Sequence, residues 1–194
     1  MKSEEFNAEL RIISYLCAVF GQMFNVQCSM FNVFDMKEYK IEAVMHIYEM
    51  AELNAEERQL VEAAKQATDG SYAPYSKFRV GAAVRLKDGT IVTGANQENA
   101  AFPSGLCAER TALFAANAQY PDQPVVALAI AARKGRQFLS QPIPPCGACR
   151  QVISGVEDRY GIPIRILLYG TEGVLVSEGI SPLLPLRFAD DDMH

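Results

Sequence analysis

Three cysteines constrain this fold more than any other residues: Cys107, followed at once by Ala108 and Glu109, and the pair Cys146 and Cys149 within Pro145-Cys146-Gly147-Ala148-Cys149. With Glu109 beside them they are the parts of a hydrolytic zinc site: three sulfur donors and one carboxylate. A structural zinc is usually closed by four protein ligands, whereas a catalytic one keeps a position for water. The remaining cysteines, Cys17 and Cys28, lie far upstream in a segment of different composition. The two histidines, His46 and His194, stand before and after the compact part of the sequence. The count at the site is therefore three sulfurs, an open position, and one carboxylate that need not be a ligand. A redox dithiol or a filler pair would need neither Pro145 before it nor a third cysteine with a glutamate two residues on.

The rest of the chain punctuates itself around these motifs. Asn54-Ala55-Glu56-Glu57 is a capping signature, and Leu60, Val61, Ala64 and Ala67 recur at helical spacing until Asp69-Gly70. Phe78, Val80, Ala82, Val84 and Leu86 alternate, Asp88-Gly89 turns, and Ile91-Val92-Thr93 resumes, which predicts a hairpin. A helix is expected from Cys107 to about Ala118, a buried strand over Val125 to Ala132, a helix over Gly147 to Tyr160, and a strand over Pro163 to Tyr169. Strand, helix, strand implies a right-handed parallel crossover. The short link Gly170-Thr171-Glu172-Gly173 makes the last strand, Val174-Leu175-Val176, antiparallel to its predecessor. Cys107 and the Cys146/Cys149 pair thus each fall at a helix start, where free N–H groups and the positive dipole end favour thiolates. Arg110 and Arg150, each directly after a motif, are expected to hydrogen-bond the sulfurs and withdraw charge.

Bulk properties narrow the function. With 194 residues and 49% hydrophobic content, the chain can bury one good core. An odd cysteine count, three of them in metal-like spacing, argues against a secreted disulfide framework and for a reducing compartment, the cytoplasm. A net charge of -5, with no extended run of lysine or arginine, offers no footprint for nucleic acid and favours a small-molecule substrate. Ile12 to Phe34 carries no charge, yet Gln22, Asn25, Gln27 and Asn32 interrupt any bilayer span and the leading residues are not net positive, so no membrane or secretory segment is expected. Translation is expected to begin at Met36, leaving residues 1–35 an upstream extension, 36–53 a lead-in and 54–194 the catalytic domain.

At this point the residues reach a family. Cys107-Ala108-Glu109-Arg110-Thr111-Ala112, Pro145 to Gln151, Tyr72-Ala73-Pro74-Tyr75-Ser76-Lys77-Phe78 and Gly94-Ala95-Asn96-Gln97-Glu98-Asn99-Ala100 resemble, block by block and in order, the small homotetrameric zinc-dependent cytidine deaminases. The resemblance spans about Asn54 to Phe188. It implies a three-layer α/β/α fold around a five-stranded mixed sheet, and a homotetramer that deaminates cytidine and deoxycytidine with Zn2+ as cofactor.

The resemblance also distributes roles. Cys107, Cys146 and Cys149 bind zinc, and Glu109 shuttles protons between the activated water, N3 of the base and the leaving amino group. The backbone around Ala108 and Cys146 holds the base edge, Phe78 packs on the ring, and Asn96 and Glu98 bind the ribose hydroxyls. Phe188, in Leu183-Leu184-Pro185-Leu186-Arg187-Phe188, matches a terminal aromatic that reaches over a neighbouring subunit's substrate. The sequence departs from the family at Phe102 and Pro103, where tyrosine and serine are usual. Two rivals stand beside this reading. A deaminase of another aminopyrimidine or aminopurine shares the chemistry; deoxycytidylate and polynucleotide enzymes call for phosphate-facing cations and commonly for a histidine ligand in place of Cys107. A non-catalytic zinc scaffold would have no use for Glu109.

Overall fold

Alternation along the strands decides which helix covers which face of the sheet. The computed structural model describes residues 38–193, so the expected extension 1–35, the start at Met36, Cys17, Cys28 and His194 lie outside the described residues. The unit that begins at Ile41 carries the fold. In chain order it contains β1 (His46–Tyr48), α1 (Ala55–Ala67), β2 (Phe78–Leu86), β3 (Ile91–Ala95), α2 (Ala108–Gln119), β4 (Val125–Lys134), β5 (Gln137–Phe138), α3 (Gly147–Tyr160), β6 (Arg165–Gly170) and β7 (Gly173–Glu178), with short 3-10 turns at Thr68–Gly70, Phe102–Ser104 and Asp190–Met193.

The sheet runs β1-β7-β6-β4-β2-β3, with β5 paired to β4. Only β4 and β6 are parallel; β7 returns antiparallel to β6, as the short link required. Ala82, Val84, Leu128, Ile130, Ile166 and Leu168 point to the face covered by Ala112 and Leu113 of α2 and Ile153 and Val156 of α3. Their neighbours Ala83, Ala129, Ala131 and Leu167 point the other way, onto Leu60, Val61 and Ala64 of α1. This period-2 switch across one sheet makes three layers, α/β/α.

Among the described residues the sheet has seven strands, two more than the five expected. The additions are three-residue β1, paired with β7 through His46↔Val176, and two-residue β5, paired with β4 through Arg133↔Phe138. Neither is long enough to show an alternating pattern; each forms because a neighbouring strand offers open backbone groups. β1 falls within the lead-in 36–53.

Two glycines set the helix heights. A Cβ on Gly81 of β2 would sit 2.2 Å from the Ala64 carbonyl of α1, and one on Gly94 of β3 would sit 2.4 Å from the Ala112 nitrogen of α2. Each helix backbone rests directly on its strand. At the helix ends, the Asn54 carboxamide accepts the Glu57 N–H at 2.9 Å while the Glu57 carboxylate accepts the Asn54 N–H at 3.0 Å, the expected capping box. Gly161 closes α3 in the left-handed region at φ 63°.

Candidate active site

Cys107 is the N-cap of α2 and Cys146 the N-cap of α3, both extended, with ψ of 154° and 165°. That extended turn frees each sulfur from its helix and lets it swing toward the other. Cys149, at the third position of α3, shares the side on which Cys146 projects. Cys107 Sγ lies 3.7 Å from Cys146 Sγ, Cys146 Sγ lies 3.3 Å from Cys149 Sγ, and all three fall within 4.8 Å of one another. Ligands about 2.3 Å from a tetrahedral ion stand about 3.8 Å apart, so this donor set fits zinc. No disulfide joins them.

Electrostatics at the cluster follows from sharing of protons. The Cys107 thiol is pulled down to about 5, first by a hydrogen bond from Cys149 and then by Arg110, while the Cys149 thiol is pushed well up by the same bond and by burial. Arg110 Nη2 approaches Cys107 Sγ at 3.8 Å. Glu109, two residues after Cys107, is 5% exposed, and its carboxyl is pushed up by burial, with the Cys107 charge adding to the shift.

Arg150 takes a different place from Arg110. Its Nε donates to the Pro145 carbonyl at 2.8 Å and its Nη1 to the Leu183 carbonyl at 2.6 Å. It braces the loop before Cys146 and ties that loop to the C-terminal segment, without a described contact to a sulfur.

A cavity of about 660 Å³ opens beside Cys107 and Arg110, with Tyr75, Asn96, Glu98 and Phe102 in its wall. That volume suits a small-molecule ligand. The Asn96 carboxamide oxygen accepts from Val80 N at 2.8 Å and from Ser71 Oγ, and its Nδ2 donates to the Phe78 carbonyl at 2.9 Å. Glu98 accepts N–H bonds from Tyr75 at 2.8 Å and Ser76 at 3.3 Å, and these contacts, the Ser76 side chain first, hold its carboxyl below the ordinary range. Both residues therefore knit the Ser71–Phe78 segment to the end of β3 while facing the cavity.

Ala108 is fully buried in the first turn of α2. Phe78 is half-buried at the start of β2 and stands outside the lining of this cavity. Phe188 is 61% exposed and also outside it, although its carbonyl is held by Gln151 Nε2 at 2.7 Å. Phe102 stacks edge-on against Tyr75, with ring centroids 5.7 Å apart. Sequence reasoning did not single out Tyr75 or Ser71. Tyr75 lay within a quoted motif block, while Ser71 is tied to Asn96 across 25 positions and carries no local signal.

Comparison with known proteins gives this geometry its relatives. Residues 54–160 match the family described as the cytidine and deoxycytidylate deaminase zinc-binding region. The cytidine deaminase of Halalkalibacterium halodurans is 42% identical over 137 residues, which are 71% of this chain and 97% of that protein. Among solved structures, the cytidine deaminase from Burkholderia pseudomallei superposes with a TM-score of 0.57 at 41% identity, over 67% of this chain and 97% of that one. The cytidine deaminase from Mycobacterium tuberculosis gives 0.55 at 32% identity, over 70% and 99%.

Proposed function

The chain belongs to the cytidine and deoxycytidylate deaminase family, and on that premise we propose that it hydrolyses cytidine and deoxycytidine to uridine and deoxyuridine with release of ammonia. The observation that carries the reading is the convergence of three sulfurs beside a buried glutamate at the start of one helix. Zinc held by Cys107, Cys146 and Cys149 supplies, when bound, an acidified water and a polarising charge. Glu109 does the proton work: its buried carboxylate would take the two protons of the attacking water in turn and pass one to N3 of the base and the other to the departing amino nitrogen, which leaves as ammonia. Arg110 offsets part of the negative charge of three thiolates through its contact with Cys107.

Groups in the cavity wall and beside it orient the substrate. Ala108, in the first turn of α2, offers an N–H without a helical partner to the base edge. Phe78 stands outside this wall and acts on the site through Asn96, whose Nδ2 donates to the Phe78 carbonyl. Asn96 retains one amide hydrogen, and Glu98 retains carboxylate lone pairs, for the ribose hydroxyls. Arg110 is the one cation in the lining and is engaged with Cys107, which supports a nucleoside over a nucleotide. The exposed Phe188 supports a homotetramer in which this ring covers a neighbour's substrate. Three reduced thiols support a cytoplasmic setting; no helix among the described residues is long and apolar enough to cross a membrane.

Glu109→Ala tests the mechanism. The variant is expected to keep one zinc per chain by metal analysis and to lose at least about 10²-fold to 10⁴-fold in cytidine turnover, followed by ultraviolet absorbance. Turnover at the wild-type rate with zinc retained rejects the assignment of Glu109.

A further inference from the structure

The acidic balance of the whole chain conceals a local reversal. In the antiparallel pair β2·β4, Arg79 stands directly opposite Arg133. Like charges in that register repel and persist only with compensation. Arg133 has it: its Nη2 reaches Asp69 at 2.6 Å and its Nε reaches Thr68 Oγ1 at 2.7 Å. Arg79 donates only to a carbonyl, Ser71 O at 2.9 Å, and makes no ion pair among the described residues; neither do Lys77 and Arg136.

Two cavities flank this arginine pair. One, of about 350 Å³, is walled by Tyr72, Pro74, Lys77, Arg79 and the turn residue Gly135, and its only charged groups are the two cations. The other, of about 320 Å³, holds Lys65, Arg133 and Arg136 with Glu62 and Asp69. The β4–β5 turn contributes Gly135 to the first and Arg136 to the second, so the cavities adjoin. Counting both, five cations face two carboxylates.

We propose that this end of the sheet binds a multiply charged phosphate anion, its phosphates spanning Lys77, Arg79 and Arg136. Guanidinium forks and a lysine ammonium are the groups that recognise phosphate oxygens. The cavities are each of a size for a small ligand, and the net charge of -5 on the chain repels a long polyanion such as RNA. Tyr72, 58% exposed at the rim of the first cavity, presents a face on which a nucleobase can stack, so the ligand is either an inorganic polyphosphate or the polyphosphate of a nucleotide. The wall shared with the candidate active site is the Tyr72–Phe78 segment: Tyr72 and Lys77 face the anion cavity, Tyr75 and Ser76 the other. This binding does not depend on deaminase activity.

The test is calorimetric titration of zinc-loaded protein with inorganic triphosphate, and in parallel with a nucleoside triphosphate. Saturable binding is expected, weakening with added salt. Arg79→Ala and Arg136→Ala should each weaken it about tenfold, as the loss of a charge-assisted contact does. Lys87→Ala, at the far end of β2, should leave it unchanged. Tighter nucleotide binding that drops on Tyr72→Ala identifies the nucleotide as ligand; equal affinities identify the inorganic chain. No saturable heat with either anion, or equal weakening by Lys87→Ala, overturns the proposal.

Discussion

At the scale of single residues, chemistry that resides in a side-chain type was legible and chemistry that depends on a partner was not. The clustering of Cys107, Cys146 and Cys149 was legible from spacing, because sulfurs at two helix starts have few other uses. Arg150 was expected at a sulfur and instead donates to the carbonyls of Pro145 and Leu183, partners whose positions only the folded backbone defines. Ser71 left no trace in the sequence, yet its hydroxyl is one of two donors to the Asn96 oxygen. That pair of donors fixes which end of the amide faces Phe78 and which hydrogen stays available to the cavity. Ser71 is thus a positioning residue. Ser71→Ala should raise KM for cytidine about threefold to tenfold, the loss of one neutral hydrogen bond, with kcat little changed. Ser71→Thr, which keeps the hydroxyl, should restore KM. A fall in kcat alone, with KM at the wild-type value, contradicts this positioning role.

Whole elements were legible where their pattern ran long enough. The helix expected over Gly147 to Tyr160 is α3 to the residue, and the hairpin turn falls where Asp88-Gly89 put it. β1 and β5 escaped because two or three residues cannot display a period, and β4 runs on to Lys134 because pairing with Phe78 continues past the apolar run. What no periodicity could reveal is the spacing between layers, which Gly81 and Gly94 control from opposite faces. Adding a methyl at either site forces two backbones apart, at a cost of about 3 kcal/mol or more. Only one of them should reach the metal. Gly94→Ala displaces α2, whose N-cap is Cys107, so zinc should leave faster to a chelator in the folded variant. Gly81→Ala displaces α1 and should lower stability to a similar extent while zinc release stays near the wild-type rate. Equal release rates from the two variants would show that the α2–β3 contact does not set the metal site.

For the molecule as a whole, the question is why an aromatic ring is presented so openly. The C-terminal segment is anchored along α3 by Arg150 to Leu183 O, by Gln151 to Phe188 O, and by Arg187 to Ser154 Oγ at 2.9 Å and Asp158 at 2.9 Å. Its backbone is held while Leu186 and Phe188 stay 75% and 61% exposed. Burying such a ring elsewhere is worth about 1.5–3 kcal/mol, which this chain forgoes on its own surface. A held backbone with a free ring is what a part supplied to another subunit requires. Phe188→Ala should therefore leave the stability of the chain within about 0.5 kcal/mol, as an exposed substitution does. Its KM for cytidine should rise about tenfold or more, from the lost apolar contact. Complementation decides between a cover for the chain's own site and a cover for a neighbour's. Glu109→Ala chains lack the proposed proton carrier but keep the ring, and Phe188→Ala chains lack the ring but keep that glutamate. If the ring acts across subunits, mixing the two and allowing exchange should regain activity at low cytidine concentration. The recovered sites would combine Glu109 from one chain with Phe188 from the other. If the ring serves its own chain, no such site can form, and the mixture gives only the sum of its parts.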